Sequence, residues 1–314
     1  MSKKVGNGGH GLENYDPETG RYIETGEGDT QYHSGTHFSV AQISEMLSNG
    51  YYGQDIANLY NNGDEEEKSA LIGYLQVKLD DFYTKQKLEN QKDYKPLTID
   101  EFREYGAICA ANTTQEDKNF FYSGYRGAGQ RAFEFNKALR TGNLEVLNRV
   151  GISVERFEAQ VAAFDRLANS FKAPKDMLGV RFDQTGPIFS WFGKSGVLNG
   201  LPTKEAFGYT QLDQENLDLK DLADRLSRLI GSVVPKDGAY SSFSCVEKQS
   251  HMTKNPDKII CTKYNIPKGK NCFISQYEYE SEGFFPRDTK FIMQDVKVEN
   301  IDGVERVVLY YGVE

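Results

Sequence analysis

The strongest constraint on what this chain can fold into is a change of periodicity near Pro235. Upstream, apolar residues recur every three or four positions, which is the spacing of one helix face. Leu71, Leu75, Leu79 and Phe82 form one such series, Phe157, Val161, Phe164 and Leu167 another, and Leu222, Leu226 and Leu229 a third. Downstream come short β-branched and aromatic runs bounded by turn residues, at 239–246, 259–266, 272–279, 281–293 and 304–311. Helices gathered first and strands afterwards predict α+β rather than alternating α/β.

The helical part runs from residue 39 to about 88, where Asp64-Glu65-Glu66-Glu67 supplies the negative charge that favours a helix start. Thr98-Ile99-Asp100-Glu101 has the spacing of a capping box. Further helices are expected over about 130–147, 154–171 and 219–230. Pro174 closes the second of these, and Met177-Leu178-Gly179-Val180-Arg181-Phe182 reads as a short strand. Residues 1–36 are rich in Gly, Glu and Thr and poor in aliphatic side chains, the composition of a flexible leader. The expected division is that leader, a helical N-terminal region over 37–112, and a second domain over 113–314.

A net charge of −9 argues against nucleic acid as the main partner, because phosphate backbones require clustered Lys and Arg. No apolar run approaches the ~20 residues of a membrane span. The start, MSKKVGNGGHG, lacks the apolar core of a signal peptide, so a soluble cytoplasmic protein is expected. Cys109, Cys245, Cys261 and Cys272 show no CxxC spacing and read as reduced thiols of a cytosolic protein. Two motif-like patterns carry little. Gly6-Asn7-Gly8-Gly9-His10-Gly11 has no strand before it and no helix after it, which a dinucleotide fold requires. His33 and His37 lack further ligands nearby, so no metal is expected.

Chemistry is suggested by the run from Tyr277 to Phe291, which sets Glu280 and Glu282 two residues apart before Phe284-Phe285-Pro286. On an extended strand such residues share one face, ~6–7 Å apart. Two carboxylates beside buried aromatics repel each other and are penalised by desolvation, which suggests function. Glu278 is in phase on the same face, making Glu278-Glu280 a rival pair. Arg181 ends the short strand, and Tyr240-Ser241-Ser242-Phe243-Ser244 follows the turn Lys236-Asp237-Gly238. Taken alone, each has an ordinary reading as a surface arginine or an edge strand.

Their order is more specific. Arg, then Ser-x-Ser on a strand after a turn, then Glu-x-Glu followed by two apolar residues and Pro-Arg, resembles the arginine–serine–glutamate branch of the mono-ADP-ribosyltransferases. That branch includes the clostridial actin-modifying and Rho-modifying toxins. The resemblance covers roughly residues 118–314. Tyr122-Ser123-Gly124 and Phe135-Asn136-Lys137-Ala138-Leu139-Arg140-Thr141-Gly142 are similar to the family's early helical motifs, and Ile266-Pro267-Lys268-Gly269 to the segment before its glutamate loop. Arg126 lies within the early motif and Arg181 after it, so the resemblance assigns the functional arginine to Arg181. Two departures stand out: Phe182 replaces the usual glycine after the arginine, and Phe243 the usual threonine between the serines.

The resemblance implies a core of two packed, mainly antiparallel sheets flanked by helices. It also implies NAD as co-substrate, no metal, and transfer of ADP-ribose to an arginine of a target protein inside a host or target cell, with three settings left open: a phage-encoded modifier of host proteins, an effector delivered by a dedicated apparatus, or the enzymatic part of a binary toxin served by a carrier. Glu282 would stabilise the positive charge that develops as nicotinamide leaves. Arg181 would clamp the pyrophosphate through its fork, and Ser242 would orient Glu282. Ser244 would steady the pocket, and Glu280 would grip the acceptor guanidinium. Tyr122 and Asn136 are implied NAD contacts, with a core tyrosine and a helix asparagine as the ordinary alternatives. Phe243 packs near nicotinamide or in the core. The rival functions are an NAD glycohydrolase and an inactive interaction protein. A glycosidase is disfavoured because its carboxylates flank the sugar from opposite sides.

Overall fold

A computed structural model describes residues 15–16, 21–22, 40–50, 52, 54–89, 93–125, 131–206, 209–232, 239–246 and 250–314. The Gly-rich motif, His33, His37, Arg126 and the turn at 236–238 lie outside them, as does nearly all of the expected leader. The helices are α1 (Val40–Ser48), α2 (Gln54–Asn62), α3 (Glu65–Glu89), α4 (Ile99–Ala111), α5 (Gln115–Asn119), α6 (Arg131–Thr141), α7 (Val154–Asn169), α8 (Thr185–Phe192), α9 (Leu219–Ser227) and α10 (Ser250–Thr253). The strands are β1 (Tyr15–Asp16), β2 (Arg21–Tyr22), β3 (Met177–Asp183), β4 (Thr203–Ala206), β5 (Tyr209–Leu212), β6 (Ser242–Ser244), β7 (Ile260–Ile266), β8 (Phe273–Ile274), β9 (Glu282–Phe284), β10 (Phe291–Ile301) and β11 (Val304–Val313). The fold is α+β, as expected.

Contacts divide the chain into two compact units. One joins residues 1–92 to 185–232, and the other joins 93–184 to 233–314. In the first, α1 and α3 bury Ile43, Met46, Leu47, Ile72, Leu75 and Leu79 in one cluster. The acidic run does start α3: Glu67 N donates to Asp64 Oδ1 and Asp64 N to Glu67 Oε2, both at 2.9 Å, a reciprocal cap.

The second unit carries a seven-stranded sheet in the order β10-β11-β7-β3-β6-β9-β8. The pairs are antiparallel except β11 with β7. Its two halves, β10-β11-β7-β3 and β6-β9-β8, are joined by the single register pair Val180↔Ser244. Helix α7, started by Ser153 accepting from Arg156 N, lays Phe157, Phe164 and Leu167 inward. Phe164 meets Phe121 at 6.0 Å, Tyr125 at 5.0 Å and Tyr240 at 5.5 Å between ring centres. Phe121 in turn packs on Phe273 and Phe284, each at 5.4 Å. This aromatic layer seats the helices on β8 and β9, each fully buried ring stabilising by roughly 1.5–3 kcal/mol.

Candidate functional site

In the second unit, β3, β6, β9 and α6 border a cleft of about 280 Å³. Tyr125, Ala132, Phe133, Asn136, Arg140, Arg181, Tyr240, Ser242, Glu280 and Glu282 line it. Four residues picked out from the sequence for catalysis, Arg181, Ser242, Glu280 and Glu282, thus come together from three separated segments, along with Asn136.

Arg181 is partly exposed toward this space. Its Nε donates to Asp183 Oδ2 at 2.7 Å, and its Nη1 donates to Ser242 O at 3.2 Å and Ser242 Oγ at 3.3 Å. The neighbouring Asp183 carboxylate holds the guanidinium cationic, raising its pKa above the ordinary arginine value. Nη2 has no partner among the described residues, so one edge of the fork keeps its donors available. Ser242 therefore contacts the arginine across the β3–β6 boundary.

Glu282 opens β9 and is 9% exposed. Its segment is tied on both sides: Ser275 N donates to Glu282 O at 2.9 Å, and Phe285 N to Ser241 O at 3.0 Å. Glu280 is not on a strand. It lies in a turn over residues 278–281, closed by Ser281 N and Oγ donating to Glu278 O at 3.2 and 3.0 Å. Ser281 has φ +44°, which ends any extended alternation. The shared strand face expected for Glu280 and Glu282 is therefore corrected: the two meet at the cleft because a left-handed residue turns the chain between them. The rival Glu278 is committed elsewhere. Arg103 Nε and Nη2 donate to its two oxygens at 2.8 and 2.9 Å, holding its carboxyl below the usual range.

Other implied contacts fall outside the cleft lining. Tyr122 Oη accepts from Gln276 N at 2.8 Å, bracing the start of the turn. Ser244 Oγ donates to Val246 O at 3.0 Å. Phe243 takes the core alternative: it is 3% exposed and lies 4.4 Å from Phe285 between ring centres. The residue three positions after Tyr122, Tyr125, lines the cleft instead. Tyr125 accepts from Asn136 Nδ2 at 2.6 Å, and burial pushes its hydroxyl up to about 12, with Glu282 adding to the rise. Asn136 Oδ1 is buried with no hydrogen-bond partner among the described residues, an acceptor awaiting a donor in the cleft wall.

Sequence reasoning missed Tyr125, Arg140 and Tyr240. Arg140 was legible in the early motif, where it stands in Leu139-Arg140-Thr141-Gly142. Tyr240 stands beside the Ser-x-Ser run; its hydroxyl donates to Asp165 Oδ1 at 2.7 Å, and the same carboxylate receives Arg287 Nε at 2.9 Å. The Pro-Arg tail after the apolar pair thus reaches back to α7 and fixes the tyrosine that forms one wall. Chemically, the cleft lining combines Arg181 and Arg140, the polar Asn136 and Ser242, two carboxylates and the rings of Tyr125, Phe133 and Tyr240. That arrangement suits a ligand with an anionic middle and a centre that becomes positive.

No protein-family model matches the sequence, and no curated protein matches it. Solved structures do match. The C3 exoenzyme of Clostridium limosum aligns at 18% identity and a TM-score of 0.51, over 71% of this chain and 98% of that one. C3stau2 of S. aureus, solved with NAD, aligns at 19% and 0.51, over 71% and 99%. BECa, an ADP-ribosylating toxin of a C. perfringens binary enterotoxin solved with NADH, aligns at 14% and 0.51, over 68% and 47%. The chain has the fold of these C3-like and binary-toxin proteins, in agreement with the resemblance read from its motifs.

Proposed function

We propose that the protein is a mono-ADP-ribosyltransferase that moves ADP-ribose from NAD to an arginine of a target protein and releases nicotinamide. The observation that carries this reading is the convergence of Arg181, Ser242, Glu280 and Glu282 on one cleft. NAD fits the residues present. The open edge of Arg181 suits a pyrophosphate, and the orphaned Oδ1 of Asn136 suits a hydroxyl or amine donor. NAD supplies the glycosidic bond to be broken. Glu282 accepts from the ribose hydroxyl and lies where positive charge grows; being nearly buried, it acts at low dielectric, where such stabilisation is largest. Arg181 holds the phosphates, and Ser242 keeps Arg181 and the carboxylate wall in register. Glu280 grips the incoming guanidinium and accepts its proton. The catalytic part is assigned to 113–314, with 37–112 as a supporting helical region and 1–36 as a leader. Action in another cell's cytosol, after delivery by a carrier, belongs to the same proposal.

The test is incubation of the full chain with labelled NAD and an arginine-rich protein. Transfer of label together with free nicotinamide is expected, and Glu282→Ala should lower both by ~10²–10³. Nicotinamide without transfer would make the protein a glycohydrolase, and neither product would leave only an interaction protein.

A further inference from the structure

The turn that holds Glu280 is fastened by residues far upstream. Gln276, two residues before it, donates its N–H to Tyr122 Oη at 2.8 Å. Two residues on, both oxygens of Glu278 receive the fork of Arg103 from α4. Helix α4 can reach this turn because Gly106 has no side chain: a Cβ there would stand 2.6 Å from Ser275 O. The direction of α4 is set in its first turn. Thr98 and Glu101 form a reciprocal cap, and Glu101 also receives Lys175.

Resting on the transferase reading, we infer that Arg103 is a positioning residue for the acceptor step. Through Glu278 it holds the turn in which Glu280 faces the cleft. Glu282 is independent of it, because β9 is paired with β6 and β8 on either side. The latch therefore bears on one carboxylate of the pair and not on the other. Arg103 and Glu278 keep side-chain exposures of 54% and 50%. An ion pair that open to water adds little to global stability, while its bidentate form fixes orientation. Its role is in geometry rather than in holding the fold.

The experiment compares the full-length protein with Arg103→Ala and with the reversed pair Arg103→Glu/Glu278→Arg. Nicotinamide release is measured alongside transfer to agmatine, a free guanidinium acceptor. Arg103→Ala should lower transfer about twofold to fivefold more than it lowers nicotinamide release, the factor expected for losing one exposed ion pair. Amide hydrogen exchange should rise over 276–281 but not over 282–284, and the reversed pair should recover both the ratio and the protection. A parallel loss of both activities, or an unchanged ratio and unchanged exchange, overturns the inference while leaving the transferase reading in place. A parent protein that releases no nicotinamide removes that reading and this role together.

Discussion

The ring of Phe243 occupies a slot made by two glycines. A Cβ on Gly179 would stand 2.6 Å from Phe243 Cδ2 and 3.0 Å from Cγ, and one on Gly283 2.8 Å from Cζ. Carbons in ordinary contact are ~3.5–4.0 Å apart, so Gly179→Ala requires the ring or the strand to yield by about an ångström. The ring has little room, since Phe285 covers it at 4.4 Å and Ile266 Cδ1 would stand 3.2 Å from the new methyl. Overpacking of this kind costs about 1–3 kcal/mol, and the second close atom argues for the upper half of that range. In a unit of this size each kcal/mol moves the melting temperature by about 2–4 °C, so a fall of roughly 4–12 °C is expected. Calorimetry or far-ultraviolet circular dichroism should read it. Phe243→Leu relieves the crowding, so the double variant should be more stable than the sum of the singles by about 1 kcal/mol. If Gly179→Ala melts within about 1 °C of the parent, or the two changes simply add, the slot does not hold β3 against its neighbours.

Glu280→Gln should lose transfer to arginine acceptors yet keep NAD cleavage, read as nicotinamide release without labelled protein. Arg181→Lys keeps the charge but cannot reach Asp183 and Ser242 together; KM for NAD should rise by about tenfold or more, with a smaller change in kcat. Burial pushes the Cys109 and Cys261 thiols up to about 12 and those of Cys245 and Cys272 up as well. At pH 8 a thiol of that pKa is ionised to the order of 10⁻⁴. A thiol reagent should therefore label none of the four in the folded protein and all four in denaturant, and fast labelling of any one would refute its burial.

Helices and their buried faces were readable because a helix repeats its environment. Leu71, Leu75 and Leu79, Phe157 and Phe164, and Leu222 and Leu226 follow the period, and Thr98 caps as its spacing suggests. The strand region was readable as β but not in its interruptions. The run expected over 281–293 breaks between β9 and β10, where Pro286 and the left-handed Asp288 (φ +65°) make a turn. Glu280 lines the cleft, but not by the expected geometry: alternation along a strand presumes φ near the extended value, and Ser281 departs from it. The hairpin of β4 and β5 carried no strong pattern and went unread. Arg103 and Tyr122 act at sequence separations of 175 and 154 residues, beyond any local rule.

Arg181 is drawn into two tasks by the single pair Val180↔Ser244 that links the sheet's halves. Across a boundary with so little ladder, the hydrogen bonds from Arg181 to Ser242 act as a stitch in a seam. The side chain proposed to grip the phosphates is also one that closes the sheet. Thermodynamic linkage then runs both ways: an anion held on the open edge orders the guanidinium and with it the seam, and a variant that weakens the seam weakens the grip. The β3–β6 boundary is thus the place where sheet closure and ligand binding share one side chain.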